Sequence, residues 1–367
     1  MRVGLDATPL LGQPTGVGRY VSGLIDALGD LLDPPALVLT AFTARGAAGL
    51  PDRAARAVTA GARISGRRAP ARALQAAWQR TELPPVELLS GRVDVFHGTN
   101  FVLPPTRRAA GVVTVHDLTY ERFPDLVTGA TRRYAELVPR SIRRAAVVLT
   151  PSAAVAEEIA DHYRLDPTRV LASGLGVDRA WFDTRPLSST ERAELDLPER
   201  YVLFVGNREP RKDLPLLVAA HRALQAEDAQ TPPLLLVGPP GWGDVVDLDS
   251  PGIRTAGYLD DTLLRRVVAS AACLAFPSRY EGFGLPPLEA LASGVPVVAS
   301  DLPVLREVLG EHAELTPSGD ADALAAALSR VLGRAYDPVP GREWASHWTW
   351  QRCAERTRAA YRQALSD

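Results

Sequence analysis

Lysine is almost missing from this chain. Of 41 basic residues among 367, one alone, Lys212, is a lysine. A planar guanidinium and a compact ammonium are different phosphate ligands, so the single ammonium in an arginine-rich chain marks a place to watch. Chance placement on the surface is the alternative. Cysteine is scarce as well. Cys273 and Cys353 have no metal-ligand spacing, which argues against a zinc module or a disulfide framework. Cys273 sits in an apolar strand pattern and reads as a buried thiol in a reducing compartment. No apolar run approaches the ~20 residues of a membrane span, and the start MRVGLDATPLL lacks a signal-peptide pattern. These absences together point to a cytoplasmic protein.

What is present is ordinary in bulk and uneven in detail. The length favours two domains, and 46% apolar with 23% charged residues suits a globular chain. The net charge of −2 hides a split: residues 1–180 carry 22 Arg against 17 acidic residues, and residues 181–367 are acidic. Between 45 and 80, eight arginines (Arg45, Arg53, Arg56, Arg63, Arg67, Arg68, Arg72 and Arg80) stand against Asp52 alone. Such a patch suits anionic lipid, a phosphorylated substrate or nucleic acid. No nucleic-acid fold signature accompanies it, so nucleic acid ranks last.

Short apolar runs recur with helical stretches between them. Arg2–Ala7 reads as a first strand, followed by a loop with Gly16 and Gly18 that opens an amphipathic helix. Val21 stands where a dinucleotide fingerprint needs its third small residue, which disfavours a dehydrogenase. Residues 37–42, Val93–His97, Gly111–His116 and Ala145–Pro151 read as further strands. This rhythm predicts a parallel doubly wound sheet, whose ligands bind beyond the C-terminal strand ends. His116 and Asp117 occupy one such end, and His97 and Asn100 the preceding one. A satisfied structural histidine is the alternative for His116.

Tyr201–Val205 starts a second sheet and leads to Gly206, Arg208, Arg211 and Lys212, a concentration of positive charge fit for a diphosphate. A strand at Pro233–Gly238, the loop GPPGWGD and Ile253–Leu259 follow. Residues 276–301, FPSRYEGFGLPPLEALASGVPVVASD, organise the rest. A strand tail reaches a loop with Glu281, Gly282 and Gly284, and Pro286 and Pro287 open a helix where missing N–H groups cost nothing. Gly294 caps that helix before a strand at Val295–Ala299. The helix N-terminus offers its positive dipole end, and Glu281 and Glu289 frame it as acceptors for sugar hydroxyls. The bland alternative is a strand–loop–helix–strand with surface acids.

That stretch resembles the E-x7-E signature of the retaining family-4 glycosyltransferases of the GT-B fold, and the likeness extends over nearly the whole chain. The resemblance implies that Glu281 contacts the donor sugar and Glu289 the ribose, with Gly282, Phe283, Gly284 and Leu285 between them at the donor. It puts Lys212 of EPRK at the diphosphate beside Arg208 or Arg211, with Gly206 just before. Gly257, Tyr258 and Leu259 would meet the base. TGVGRY, with Gly16 and Gly18, would face an inter-domain cleft. His116 of VHDL would lie near the sugar, and Asp117, His97 and Asn100 on the acceptor side. The family more often carries Asn at the place of Leu175, Arg at Asn207 and Pro at Arg306.

The expected architecture is α/β: two Rossmann-like doubly wound domains facing a central cleft. They would span 1–180 and 201–348, joined by a linker at 181–200, with a last helix at about 349–365 packed back on the first. The expected reaction is retaining, metal-independent transfer of a sugar from a nucleoside diphosphate, with no cofactor. GDP-mannose is the preferred donor and UDP- or dTDP-sugars are alternatives; the acceptor would be a hydroxyl of a glycan or a lipid-linked acceptor. A non-hydrolysing sugar-nucleotide epimerase and a non-catalytic sugar-nucleotide sensor are the rivals. Arg63, Arg67, Arg68 and Arg72, near Leu74, Ala77 and Trp78, suggest peripheral contact with an anionic membrane.

Overall fold

Runs such as VLFV, LLLV and CLAF are apolar at every position, a pattern that suits strands covered on both faces. The computed structural model of the chain describes residues 1–12, 15–44, 50–65, 67–68, 70–241 and 251–366, and in it these runs form two parallel sheets. Arg45 and the Trp242–Asp244 part of the glycine loop lie outside the described residues.

The first sheet holds β1 (Arg2–Asp6), β2 (Ala36–Thr40), β3 (Arg63–Ser65), β4 (Val95–Gly98), β5 (Ala110–Thr114), β6 (Val147–Thr150) and β7 (Val170–Ala172). Their spatial order is β3-β2-β1-β4-β5-β6-β7. The second holds β8 (Val202–Val205), β9 (Leu234–Val237), β10 (Ile253–Gly257), β11 (Cys273–Phe276), β12 (Val297–Ser300) and β13 (Glu314–Thr316). Here the order is β10-β9-β8-β11-β12-β13. Each order reverses once, between β1 and β4 and between β8 and β11. Crevices beyond the C-terminal ends of strands at such reversals are where doubly wound sheets bind ligands. The expected fold class is therefore present twice. Edge strands β3 and β13 were not foreseen; three residues are too few to display a period.

The chain divides into two units, Met1–Gly176 with Thr349–Asp367, and Val177–Trp348. The expected linker at 181–200 is no bare connection. Arg179–Phe182 makes a helical turn that buries Trp181 to 1% exposure, and Ser188 starts the helix Ser189–Glu194 with a reciprocal capping box to Glu191. Its polar composition misled because a short helix can bury one tryptophan and keep the rest of its side chains wet. The boundary falls instead at Gly176/Val177.

A similar correction applies to Ala71–Trp78. Trp78 is 1% exposed, its indole N–H donates to the Pro84 carbonyl at 3.1 Å, and its ring meets Phe42 edge-on at 5.4 Å. The helix spends its aromatic residue on the core and cannot offer it to a membrane. Arg72 remains exposed. Among the described residues, no helix is long and apolar enough to cross a membrane.

The C-terminal helix Trp350–Ala364 packs in the first unit against Gly16–Gly29, where Gly23 leaves room for the Trp350 ring. A Cβ at Gly23 would come within 2.4 Å of that ring. Overpacking of this kind costs about 1–3 kcal/mol, and each kcal/mol lowers Tm by about 2–4 °C in a domain of this size. Gly23→Val should therefore melt several degrees below wild type by scanning calorimetry. An unchanged Tm would show that the two helices do not meet as described.

Candidate active site

The reversal in the second sheet brings two loops together. After β8, Gly206 leads into the tight turn Pro210–Lys212, and after β11 the chain runs from Ser278 to Glu281. The Arg279 N–H donates to the Arg211 carbonyl at 2.8 Å and ties the loops to each other. The Arg279 guanidinium then forks onto Asp213 at 2.7 and 3.2 Å. Asp213 is 2% exposed and holds a left-handed conformation with φ 51°.

Inside this frame sits a buried ionic cluster. Lys212 and Glu281 are each 7% exposed. The Lys212 ammonium donates to Glu281 Oε1 at 2.5 Å, and Arg211 reaches Oε2 at 2.9 Å. Arg211 also pairs with Glu209 at 2.9 Å and donates to the Tyr280 carbonyl. Lys212 Nζ lies 4.4 Å from the centroid of the Phe276 ring. Burial, the largest influence on Glu281, would raise its pKa, but the charges of Arg211 and Lys212 outweigh it and hold the carboxyl down at about 2. Burial likewise pulls the Lys212 ammonium below its usual value, and Glu281 restores part of the loss. Arg208, in the same loop, is half-buried and has no carboxylate partner among the described residues.

The helix Leu285–Ala292 starts at the end of the same loop. Gly284 is its N-cap with φ 98°, and a Cβ there would stand 2.6 Å from Leu305. Only glycine fits both constraints. Gly282, Phe283 and Leu285 are buried, and Phe283 meets Trp348 edge-on at 5.2 Å. Glu289, 4% exposed, lies in the second turn. Gly257 closes β10, two strands from β8, and its carbonyl accepts from Gly238 N–H at 2.8 Å; Tyr258 is exposed and Leu259 half-buried. The second unit thus assembles Lys212, Arg211, Glu281 and the helix N-terminus at one crevice. Phe276, Glu209 and the Asp213–Arg279 fork were not singled out from sequence, although the rule that ligands gather at the ends of β8 and β11 points to all of them.

In the first unit the candidates separate. Gly16 and Gly18 are not a loop but the first turn of Gly16–Gly29, where Thr15 caps by accepting from Gly18 N–H at 3.1 Å. His116 is 9% exposed; its Nε2 donates to the Thr99 carbonyl at 2.9 Å, and burial lowers its pKa so that the ring is neutral. Asp117 accepts from Thr119 N–H at 2.9 Å. Asn100 follows β4 and hydrogen bonds Tyr134. His97 does not belong with them. It is fully buried, with Nδ1 2.8 Å from the Tyr361 hydroxyl and Nε2 2.7 Å from Thr114 Oγ1. Burial lowers its pKa to about 3. Both nitrogens are used in the core, so an acceptor-side role for His97 is withdrawn.

Comparison with known proteins gives the family and the fold. Residues 14–181 match the family model described as Glycosyltransferase Family 4, and residues 199–334 match Glycosyl transferases group 1. O-antigen chain mannosyltransferase B of Escherichia coli is 32% identical over 283 residues, 73% of this chain and 74% of that protein. The chain belongs to the family-4 glycosyltransferases. The MMP alpha-(1->4)-mannosyltransferase of Mycolicibacterium hassiacum is 31% identical over 64% of this glycosyltransferase and 58% of its own length. Among solved structures, a glycosyltransferase from Rickettsia africae matches with a TM-score of 0.69 over 100% of this chain and 99% of its own, at 14% identity. The Anabaena protein HepE, solved with UDP, matches at 0.59 over 99% and 95%, at 18% identity. These likenesses are of fold, and the fold is GT-B.

The Glu281 carboxylate gives this glycosyltransferase a measurable acid sensitivity. Its folded pKa of about 2 lies below the ordinary 4.5, so the ionised form stabilises the fold above pH 4.5 and the benefit is lost as pH falls towards 2. Glu281→Gln should be less stable than wild type by about 3 kcal/mol at pH 7. Denaturant titrations should find that gap closing as the pH falls below 4.5. A gap that stays constant down to pH 2.5 contradicts the pairing.

Proposed function

We propose that this glycosyltransferase moves a mannosyl residue from GDP-mannose to a hydroxyl of a glycan or lipid-linked acceptor, with retention and without a metal ion. The observation that carries the reading is the sole lysine, buried beside Arg211 at the β8/β11 reversal next to a helix N-terminus. Cations and helix dipole together would stabilise a departing diphosphate. Mannose as the donor sugar is supported by the names of the two mannosyltransferase relatives. In this reading the anomeric carbon–oxygen bond breaks, and its electron pair leaves with the diphosphate. The acceptor oxygen bonds to the same face, and its proton passes to the departing phosphate oxygen. Glu281, held at about pKa 2 by two cations, is a poor base, which favours the phosphate in that role. On donor binding Glu281 would turn from Lys212 to sugar hydroxyls, Glu289 would hold the ribose, and Gly257 to Leu259 would meet the base.

Loss of leaving-group stabilisation is worth about 10²–10³ in turnover. Lys212→Ala should show that loss with the fold intact, and Lys212→Arg should recover only part of it. Near-normal turnover by the alanine protein would refute the assignment. In a thermal-shift panel of GDP, UDP, ADP and dTDP, GDP should raise Tm most; a larger shift with UDP would replace GDP-mannose as the donor.

A cytoplasmic site of action fits two free, buried cysteines, and anchorage at an anionic membrane is a second part of the reading. Arg63, Arg67, Arg68 and Arg72 are exposed, and Leu88, whose carbonyl accepts from Arg67, is 56% exposed. Each cation near such a surface contributes ~1 kcal/mol. Anionic vesicles should sediment wild type at low salt and lose it at high salt, and a protein with these four arginines changed to Gln should stay in solution. Equal behaviour of the two proteins would remove membrane contact.

A further inference from the structure

The reversal in the first sheet, between β1 and β4, opens onto a cavity of about 250 Å³ within the first unit. Asp6 ends β1 and projects into it, joined by Thr8, Gln75, Trp78, Asn100 and Tyr134. Asp6 is 7% exposed. Its Oδ1 accepts from the Thr8 N–H at 2.9 Å and the Thr8 hydroxyl at 2.5 Å, while no described residue donates to Oδ2. Asn100 is offered by a tight loop in which Phe101 holds φ 62°, a conformation costly for an aromatic residue. Tyr134 stacks on that Phe101 ring at 4.7 Å. The polar groups are thus held in place before any ligand arrives, around the aromatic wall of Trp78 and Phe42.

We propose that this cavity takes the terminal neutral sugar ring of the acceptor, with Asp6 Oδ2 accepting hydrogen bonds from ring hydroxyls, and that it rejects phosphorylated sugars. The proposal rests on the glycosyltransferase reading for the word acceptor, but not for the binding itself. Size argues for one ring: the volume is below the ~300–1,000 Å³ of pockets for drug-sized ligands. Charge argues for a neutral ring, because among the described residues no lining side chain is a cation and the one carboxylate would repel a phosphate. Burial raises the Asp6 pKa to about 6 against the lowering effect of Thr8, so the group is ionised at pH 7.5. Amides, hydroxyls and a carboxylate around an aromatic face supply both donors and acceptors to a ring that has hydroxyls on its edge and C–H bonds on its face.

The test is saturation-transfer NMR on the full chain at pH 7.5 with methyl α-D-mannopyranoside and, separately, mannose 6-phosphate. Wild type should give a mannoside signal and none from the phosphate. Asp6→Ala and Gln75→Trp, the second filling the cavity from a half-buried helical position, should each weaken the mannoside signal at least five-fold. If Asp6→Ala does not fold, Gln75→Trp decides alone. Absence of the mannoside signal in wild type, its persistence at full strength in the folded variants, or equal signals from the phosphate would overturn the proposal. Calorimetry with GDP on the same samples separates the two readings. Nucleotide binding should be equal in all three proteins, and a wild type that binds mannoside but no nucleotide would refute the glycosyltransferase donor site and leave the cavity standing.

Discussion

An ammonium and a carboxylate, each more than nine-tenths removed from water, meet at 2.5 Å where β8 and β11 end, and the second unit is built to keep them there. Either charge left alone there would be costly. Breaking such a pair by removing one partner costs about 3–5 kcal/mol, because the other is left buried without compensation. The surrounding features follow from that constraint. Arg211 takes the second oxygen of Glu281, Phe276 lends its ring face to Lys212, and the Arg279–Asp213 fork ties the two loops that carry the pair. In the proposed reading, a site that presents positive charge to a diphosphate stays folded without it because its cations have an internal counterion.

The same topology, used twice, gives crevices of opposite character. In the second unit the reversal gathers a lysine, arginines and a helix N-terminus. In the first it gathers a carboxylate, two amides and hydroxyls, with no cation among the described residues that line it. A doubly wound sheet dictates where side chains converge and not which ones they are. The residues placed at or past the strand ends, Asp6 closing β1 and Lys212 beyond β8, set the charge of each crevice. Nearby, His97 shows the other use of a strand end: its ring anchors the C-terminal helix through Tyr361 instead of facing a ligand.

Much of this was legible in the residues because parallel strands are short runs without polar interruption. Val202–Val205 and Cys273–Phe276 could be read directly, and with them the positions of Gly206, Lys212 and Glu281 just beyond. The lone lysine pointed to the cation site, and the Pro286–Pro287 pair marked the start of the helix Leu285–Ala292. What escaped depended on partners distant in sequence. His97 looked free because Tyr361, 264 residues away, supplies its hydrogen bond. Trp78 looked amphipathic and exposed because Phe42 and Pro84, which bury it, belong to other elements. The stretch 181–200 looked like a linker because polarity hides one buried tryptophan. The Asp6 cavity gave no local signal; it exists only once β1, β4 and the helix Ala71–Trp78 converge.

The scarcity of lysine supplies its own experiment. With one lysine in 367 residues, selective ¹⁵N-lysine labelling yields a single side-chain signal, from Lys212 Nζ. Its burial and its pairing with Glu281 slow exchange with water enough for detection near neutral pH. Titration with GDP should move this one resonance in step with binding measured by calorimetry, as the ammonium trades its carboxylate for phosphate oxygens. A resonance that stays in place while the nucleotide binds would contradict the claim that this buried ammonium is the diphosphate ligand.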